Sequence, residues 1–275
     1  MLDEEAAALA FGSAMHKALE HWYTLPISAR ELEPKLKEVA QHMAYGHGID
    51  EPRVGALESV RQFVLARYEV LKLLDEGDKR SLANGIKILI AYMKQYAQDG
   101  LSVLCDDSGP FIERTFSFLL HETPEIEIHY FGTIDVILHN VSTGTILITD
   151  HKTTAALGKE FYNRLKPNHQ YTGYIMGAQE VFKLPTNLFM INGIQVAKTK
   201  TEFARQVTDR SPEDLKEFKS AVIEVTKRWL SASYLNEYPM SAPNPCSMYG
   251  GCQFLDVCSA PSQLRENIIS ARWRK

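Results

Sequence analysis

Two acids and a lysine stand where a pair of strands would bring them together. The stretch from Tyr130 to Thr154, YFGTIDVILHNVSTGTILITDHKTT, reads as two β-strands joined by a turn. The first strand, about Phe131 to Leu138, is rich in β-branched and aromatic residues. Asn140 to Gly144 supply the turn, and the second strand runs from about Thr145 to Lys152. Asp135 lies within the first strand, Asp150 and Lys152 at the end of the second. Side chains alternate along a strand, so Asp150 and Lys152 share one face and His151 takes the other. Ile134, Val136, Ile146 and Ile148 mark a largely buried sheet, where charged groups need partners or a metal. Two carboxylates side by side repel each other unless a cation neutralises them. A divalent ion fits, with the lysine beside it to stabilise an anion. Taken alone D-x-K is common, and an exposed strand edge with an ordinary salt bridge is the competing reading.

G-x-I-D followed about fifteen residues later by D-x-K-T-T resembles the PD-(D/E)XK nuclease superfamily, in particular its RecB-like exonuclease branch of phage or CRISPR-associated type. The match falls on Gly132, Ile134 and Asp135, then on Asp150, His151, Lys152 and Thr153. The resemblance implies an α/β protein with a restriction-endonuclease-like core, a central mixed β-sheet flanked by helices. It implies Mg²⁺ or Mn²⁺ held by Asp135 and Asp150, with the carbonyl of His151 as a further ligand. Lys152 would then orient or deprotonate a water, or stabilise the pentavalent transition state.

Other segments carry further marks in the expected order. Met1 to Tyr23 reads as a helix with Leu9, Met15, Leu19 and Trp22 spaced for a buried face. Gly12, His16 and Glu20 fall on one stripe, and glycine there would permit close approach to a neighbour. A lone histidine on a helix is ordinarily structural or solvated. F-G-x-x-x-H-x-x-L-E, however, resembles the N-terminal helix of RecB-like nucleases, which implies that His16 binds the catalytic metal. That branch often carries a short segment before this helix, sometimes with a cysteine, and its absence here reads as a trimmed domain. Glu113, on the strand before G-x-I-D, is a third candidate acid, or equally a solvated acid paired with Arg114. Gln170 and Tyr174 lie one turn apart on a helix expected from about Asn168 to Phe182. Q-x-x-x-Y at this distance resembles the pair that flanks the active site and contacts DNA in that branch, by hydrogen bonding and base stacking.

Between these marks, Ser28 to Tyr45, Glu51 to about Leu74 and Ser81 to Ala97 read as three helices, with Ser28 and Ser81 as N-caps. They form a helical insertion, about 25–100, that reads as scaffold. Lys159, Arg164, Lys166 and His169 form a basic segment that either meets phosphates or is a solvated loop. Thr186 to Val196 and Lys200 to Val207 read as two further strands. Ser211 to Tyr234 reads as a capped helix with Leu215, Phe218, Val222, Val225 and Trp229 as its apolar stripe.

The cysteines are less informative. Cys246, Cys252 and Cys258 sit in a tail of about 240–275, and three late cysteines in iron–sulfur relatives of this branch help to hold a [4Fe–4S] cluster. The spacing here departs from that pattern and the early cysteine is missing, so reduced thiols are expected rather than a cluster. Cys105, without a close partner, reads as a small buried residue.

The 275 residues, with a net charge of −4, suit one nuclease domain with an insertion and a tail. No apolar run is long enough for a bilayer and no secretory signal opens the chain, so a cytoplasmic protein is the default. The weak acidity argues against nonspecific coating of nucleic acid but not against a nuclease with local basic patches. The expectation is a metal-dependent deoxyribonuclease, most simply an exonuclease acting on linear or single-stranded ends in recombination, repair or phage DNA processing, alone or beside a helicase or recombinase. A catalytically silent nuclease-fold DNA-binding protein, or an unrelated metal hydrolase using the same acids, are the alternatives.

Overall fold

The run of alternating and β-branched residues that ends at Thr154 builds a sheet, and the helical periodicities on either side of it cover both faces. A computed structural model describes residues 4–30, 36–235 and 252–273. The N-terminal helix α1 (Glu4–Thr24) is followed by a 3-10 turn at Ile27–Ala29 and by α2 (Leu36–Ala44), α3 (Gly55–Leu71) and α4 (Leu82–Tyr96). Ser81 caps α4 as expected, its hydroxyl accepting from the Asn84 N–H at 3.3 Å. Ser28 does not cap a helix: it lies inside the 3-10 turn after Pro26.

Strand β1 (Leu101–Val103) precedes a small hairpin of β2 (Cys105–Asp106) and β3 (Gly109–Pro110), then β4 (Ile112–Glu122), β5 (Glu127–Asn140) and β6 (Ile146–Thr154). Next come the short helix α5 (Lys159–Asn163), α6 (His169–Glu180), β7 (Leu188–Gln195), β8 (Phe203–Asp209) and α7 (Pro212–Leu235). The main sheet runs β1–β5–β6–β7–β8, with β4 also paired to β5. The β6–β7 pair is parallel and the others are antiparallel, so the sheet is mixed as expected. The parallel pair follows from the crossover through α5 and α6, which returns β7 in the same direction as β6.

One face of the sheet packs Val136, Leu138, Leu147, Met190 and Ile194 against α1 and the helical block. The other packs Ile134, Ile137, Ile148, Phe189 and Ile191 against α6. On α1, Met15, Leu19 and Trp22 are buried as expected, but Leu9 is 70% exposed. It stands on the cleft side of the helix, one turn from the glycine that faces the sheet. Cys105 is likewise exposed, because the β2–β3 hairpin stands off the main sheet. On α7, Phe218 is buried while Val225 and Trp229 are exposed, so the apolar stripe is buried at its start alone among these three. No described helix is long and apolar enough to cross a membrane.

The chain divides into two compact units, Met1–Ile223 and Glu224–Lys275. The first contains the sheet. The described part of the second includes two short helices, Leu255–Ser259 and Ser262–Trp273.

Close packing between α6 and the sheet makes one clear prediction. A Cβ added at Gly177 would lie 2.5 Å from the ring of the buried Phe116. Helix propensity favours alanine over glycine by about 1 kcal/mol, whereas overpacking a filled core costs about 1–3 kcal/mol. Gly177→Ala is therefore expected to lower the urea midpoint, and an unchanged or raised midpoint would show that Phe116 gives way freely.

Candidate active site

The two strands that carry the acids pair over a short length. The β5–β6 ladder runs from His139–Ile146 to Val136–Thr149 and stops there. Asp135 and Asp150 occupy the next position on each strand, at the mouth of a fork. Beyond it β5 turns its pairing to β4, while β6 continues beside β7. Backbone groups that lose a ladder partner must find another: the N–H of His151 donates to Asp135 Oδ2 at 3.2 Å. The alternation expected along β6 holds. Asp150 and Lys152 lie on the α6 side, near Tyr171, and the His151 ring stacks on Tyr23 of α1.

Two further segments converge on the fork. From α1, His16 Nε2 donates to the carbonyl of His151 at 2.6 Å, and its Nδ1 lies 3.3 Å from Asp135 Oδ2. Gly12, one turn earlier, lets the helix settle on the end of β6: a Cβ there would be 3.3 Å from Thr153 Oγ1. From β4, Glu113 faces Asp135 across the ladder, between the pairs Ile112–Val136 and Arg114–Ile134. Its φ is +48°, a left-handed conformation that costs a non-glycine residue about 1–3 kcal/mol and recurs where a side chain must be re-aimed. One ligand atom each from His16, Glu113 and Asp135 lies within 4.8 Å of the others. Asp150, 1% exposed, stands beside this trio with its Oδ2 2.8 Å from Lys152 Nζ. The His16 and Glu113 side opens into a cleft of about 420 Å³ lined also by Gly12, Ser13, Lys17 and Thr153.

Burial sets the electrostatics. It pushes the Asp135 carboxyl up to about 9, and the neighbouring Asp150, close enough to share a hydrogen bond, adds to the effect. Burial also raises Glu113, reinforced by Glu20, and lowers His16. For Lys152 burial acts downward, but the charge of Asp150 outweighs it and holds the ammonium above its usual range. Acids whose carboxyls burial raises, beside Asp150 and an imidazole that burial lowers, form a donor set of oxygens plus one nitrogen. Such a set fits a divalent cation, which would take the place of the protons.

The Q-x-x-x-Y pair lies on α6, with Tyr174 near enough to Asp150 and Asp135 to feel their charge. Gln170 Nε2 donates to Tyr174 Oη at 3.0 Å, and the Tyr174 ring packs over Gly132. A Cβ at Gly132 would lie 2.9 Å from Phe116 and 3.3 Å from Tyr174, which gives the first glycine of G-x-I-D a packing reason. In the basic segment, Lys166 pairs with Asp214 at 2.9 Å, a structural use of one of its cations. Sequence reasoning missed Tyr171, whose hydroxyl is pushed up to about 12 by burial and by Asp150. It also missed Asn192, 2.7 Å from His151 Nδ1. Neither stands in a recognisable pattern: each is found by register and packing alone. Cys246 lies outside the described residues. Cys252 and Cys258 are free thiols, and among the described residues no cysteine joins a group able to hold a metal.

Comparison with known proteins bears on this geometry. The family model described as the PD-(D/E)XK nuclease superfamily matches residues 2–259. A crystal structure at 2.19 Å of a protein from Eubacterium rectale, named there as a candidate exonuclease, is similar with 12% sequence identity and a TM-score of 0.40. That match covers 95% of this chain and 99% of the other. No curated protein matches the chain.

Proposed function

The chain belongs to the PD-(D/E)XK nuclease superfamily, and from that premise we propose that it is a divalent-metal-dependent deoxyribonuclease of the RecB-like kind, an exonuclease hydrolysing phosphodiester bonds at DNA ends. The observation that carries this reading is the convergence of His16, Glu113 and Asp135 from a helix and two strands, with the Asp150–Lys152 pair beside them.

His16, Asp135 and Asp150 would hold Mg²⁺ or Mn²⁺, and Glu113 would assist directly or through water. Oxygen-rich sets with one imidazole suit both ions, the softer one slightly better. When bound, the cation supplies Lewis acidity toward the scissile phosphate and acidifies a water. The protein's own residues do the rest. The carbonyl of His151 holds the Nε2 proton of His16, which turns Nδ1 toward Asp135. Asp150 keeps Lys152 charged and fixed beside the acids, where it would meet the phosphate or the attacking water. Gln170 and Tyr174 position the strand, the amide by bonding phosphate or base edges and the ring by stacking. The RecB-like order of the marks, from α1 through G-x-I-D and D-x-K to Q-x-x-x-Y, favours action on ends or single strands. It also favours a place in recombination, repair or phage DNA processing, beside a helicase or recombinase.

The test is digestion of end-labelled linear duplex, single strands and closed circular plasmid by the purified protein in Mn²⁺, with EDTA as control. Expected is loss of linear and single-stranded DNA with the closed circle spared. Equal attack on the circle overturns the exonuclease assignment. No product from any substrate, with binding retained, favours the catalytically silent DNA-binding alternative.

A further inference from the structure

Behind the fork, on the α1 side of the sheet, lies a buried row of polar side chains that the proposed chemistry does not use. The ladders pair His151 with Asn192 and Asn192 with Arg205, so three consecutive strands place these residues side by side. Asn192 Nδ2 donates to His151 Nδ1 at 2.7 Å and to Tyr92 Oη at 2.6 Å. Tyr92 Oη is 2.6 Å from Tyr23 Oη, and Arg205 donates to both hydroxyls. Arg205 is neutralised by Asp99 at 2.8 Å, which also meets Arg30. His151, Asn192, Tyr23 and Tyr92 are all buried, in the midst of the apolar cluster that joins the sheet to the helical block.

Such a layer is not the simplest way to stabilise a core. An apolar layer of similar volume is commonly as stable or more so, whereas a connected polar network fixes one arrangement of the elements that contribute to it. Here those elements are α1, α4, β6, β7 and β8. Two of them reach the metal centre. The imidazole of His151 is clamped between Asn192 and the face of Tyr23, with ring planes 16° apart, and its own carbonyl holds His16. Tyr23 follows His16 by seven residues, two turns along the same face of α1. The Asn192 amide bonded to Nδ1 fixes the rotation of the His151 ring.

We propose that the His151–Asn192–Arg205 row, with Tyr23 and Tyr92, is a positioning device for the metal centre: it fixes the main chain at His151 and the rotation of α1, and through both it orients the ring of His16. Ligand orientation by groups that do not touch the ion is ordinarily worth about 10- to 100-fold in metal affinity.

The inference rests on the metal-centre reading above, and calorimetric titration of the full chain with Mn²⁺, without DNA, separates the two. Asn192→Ala removes the clamp on His151 but deletes none of the proposed ligands. It is expected to raise the Mn²⁺ Kd by about 10- to 100-fold. Tyr92→Phe, which deletes one hydroxyl, should raise it by a smaller factor and decides the matter if Asn192→Ala does not fold. Gly177→Ala, destabilising from the opposite face of the sheet, serves as the comparison, with the metal-free Tm recorded for all three. A parent that takes up no Mn²⁺ sinks the metal centre and this inference with it. A parent that binds, alongside row variants that bind equally well, overturns the positioning role alone. So does a loss of affinity no larger than Gly177→Ala shows for the same fall in Tm, since the row would then be structural only.

Discussion

Lys152→Ala is expected to cut DNA about 10³-fold more slowly than the parent while still binding Mn²⁺ and DNA. The size follows from what the side chain has left to do. Its ammonium lies 2.8 Å from Asp150, and that carboxylate outweighs the downward pull of burial and holds it above its usual range. A general base works best with a pKa near the operating pH. In the metal-free chain Lys152 is displaced in the other direction, so on the proposed mechanism it would act as a fixed cation and hydrogen-bond donor toward the charge that develops on the phosphate and the attacking oxygen. Loss of one such donor typically costs about 10²–10³ in kcat, and loss of a proton-transfer role as well would extend this toward about 10⁴. The effect belongs in kcat rather than in KM, because the charge it stabilises grows at the transition state. Cleavage within about fivefold of the parent would remove Lys152 from the chemistry. The same substitution leaves the buried Asp150 without its cation, so the metal-free protein should also lose stability and recover it on addition of Mn²⁺.

The parts of this centre that were legible in the sequence are those written along one strand. The alternation of Asp150, His151 and Lys152 needs nothing but the pleat, and β6 bears it out. The mixed sheet, the Ser81 cap and the helix carrying Gln170 and Tyr174 also followed from local signals. What was not legible depends on how strands lie beside each other. The fork places Asp135 and Asp150 one rung past Thr149, and no local pattern says where a ladder stops. The left-handed backbone at Glu113 is invisible in a run of ordinary strand residues. Asn192 and Arg205 read as unremarkable strand positions until the register sets them beside His151. Leu9 and Cys105 are exposed rather than buried for a related reason: burial depends on what lies opposite, and the cleft opens beside one while the other sits on a hairpin clear of the sheet.

Asp135→Asn should show the opposite balance from Lys152→Ala: cleavage lost, metal-free stability gained. The sign follows from linkage. Burial and Asp150 raise the Asp135 carboxyl to about 9 in the folded chain, against an ordinary 3.8. The fold therefore favours the protonated acid. Its contribution is fully present below about pH 4 and is lost as pH rises through the folded value. An asparagine presents similar atoms with no proton to lose. The two metal-free proteins should melt together near pH 4 and separate steadily toward pH 9, the variant being more stable by on the order of 1–3 kcal/mol at pH 8. At about 2–4 °C per kcal/mol for a domain of this size, the gap in Tm is readily measured. Mn²⁺ should close it by raising the Tm of the parent and leaving the variant nearly unmoved, because the amide offers no charge to an ion. A gap that does not widen with pH, or a variant that responds to Mn²⁺ as the parent does, would mean that Asp135 is not the acid held in reserve for the cation. The stability sacrificed at neutral pH is, on this account, what keeps a ligand ready in a site too dry to hold it ionised alone.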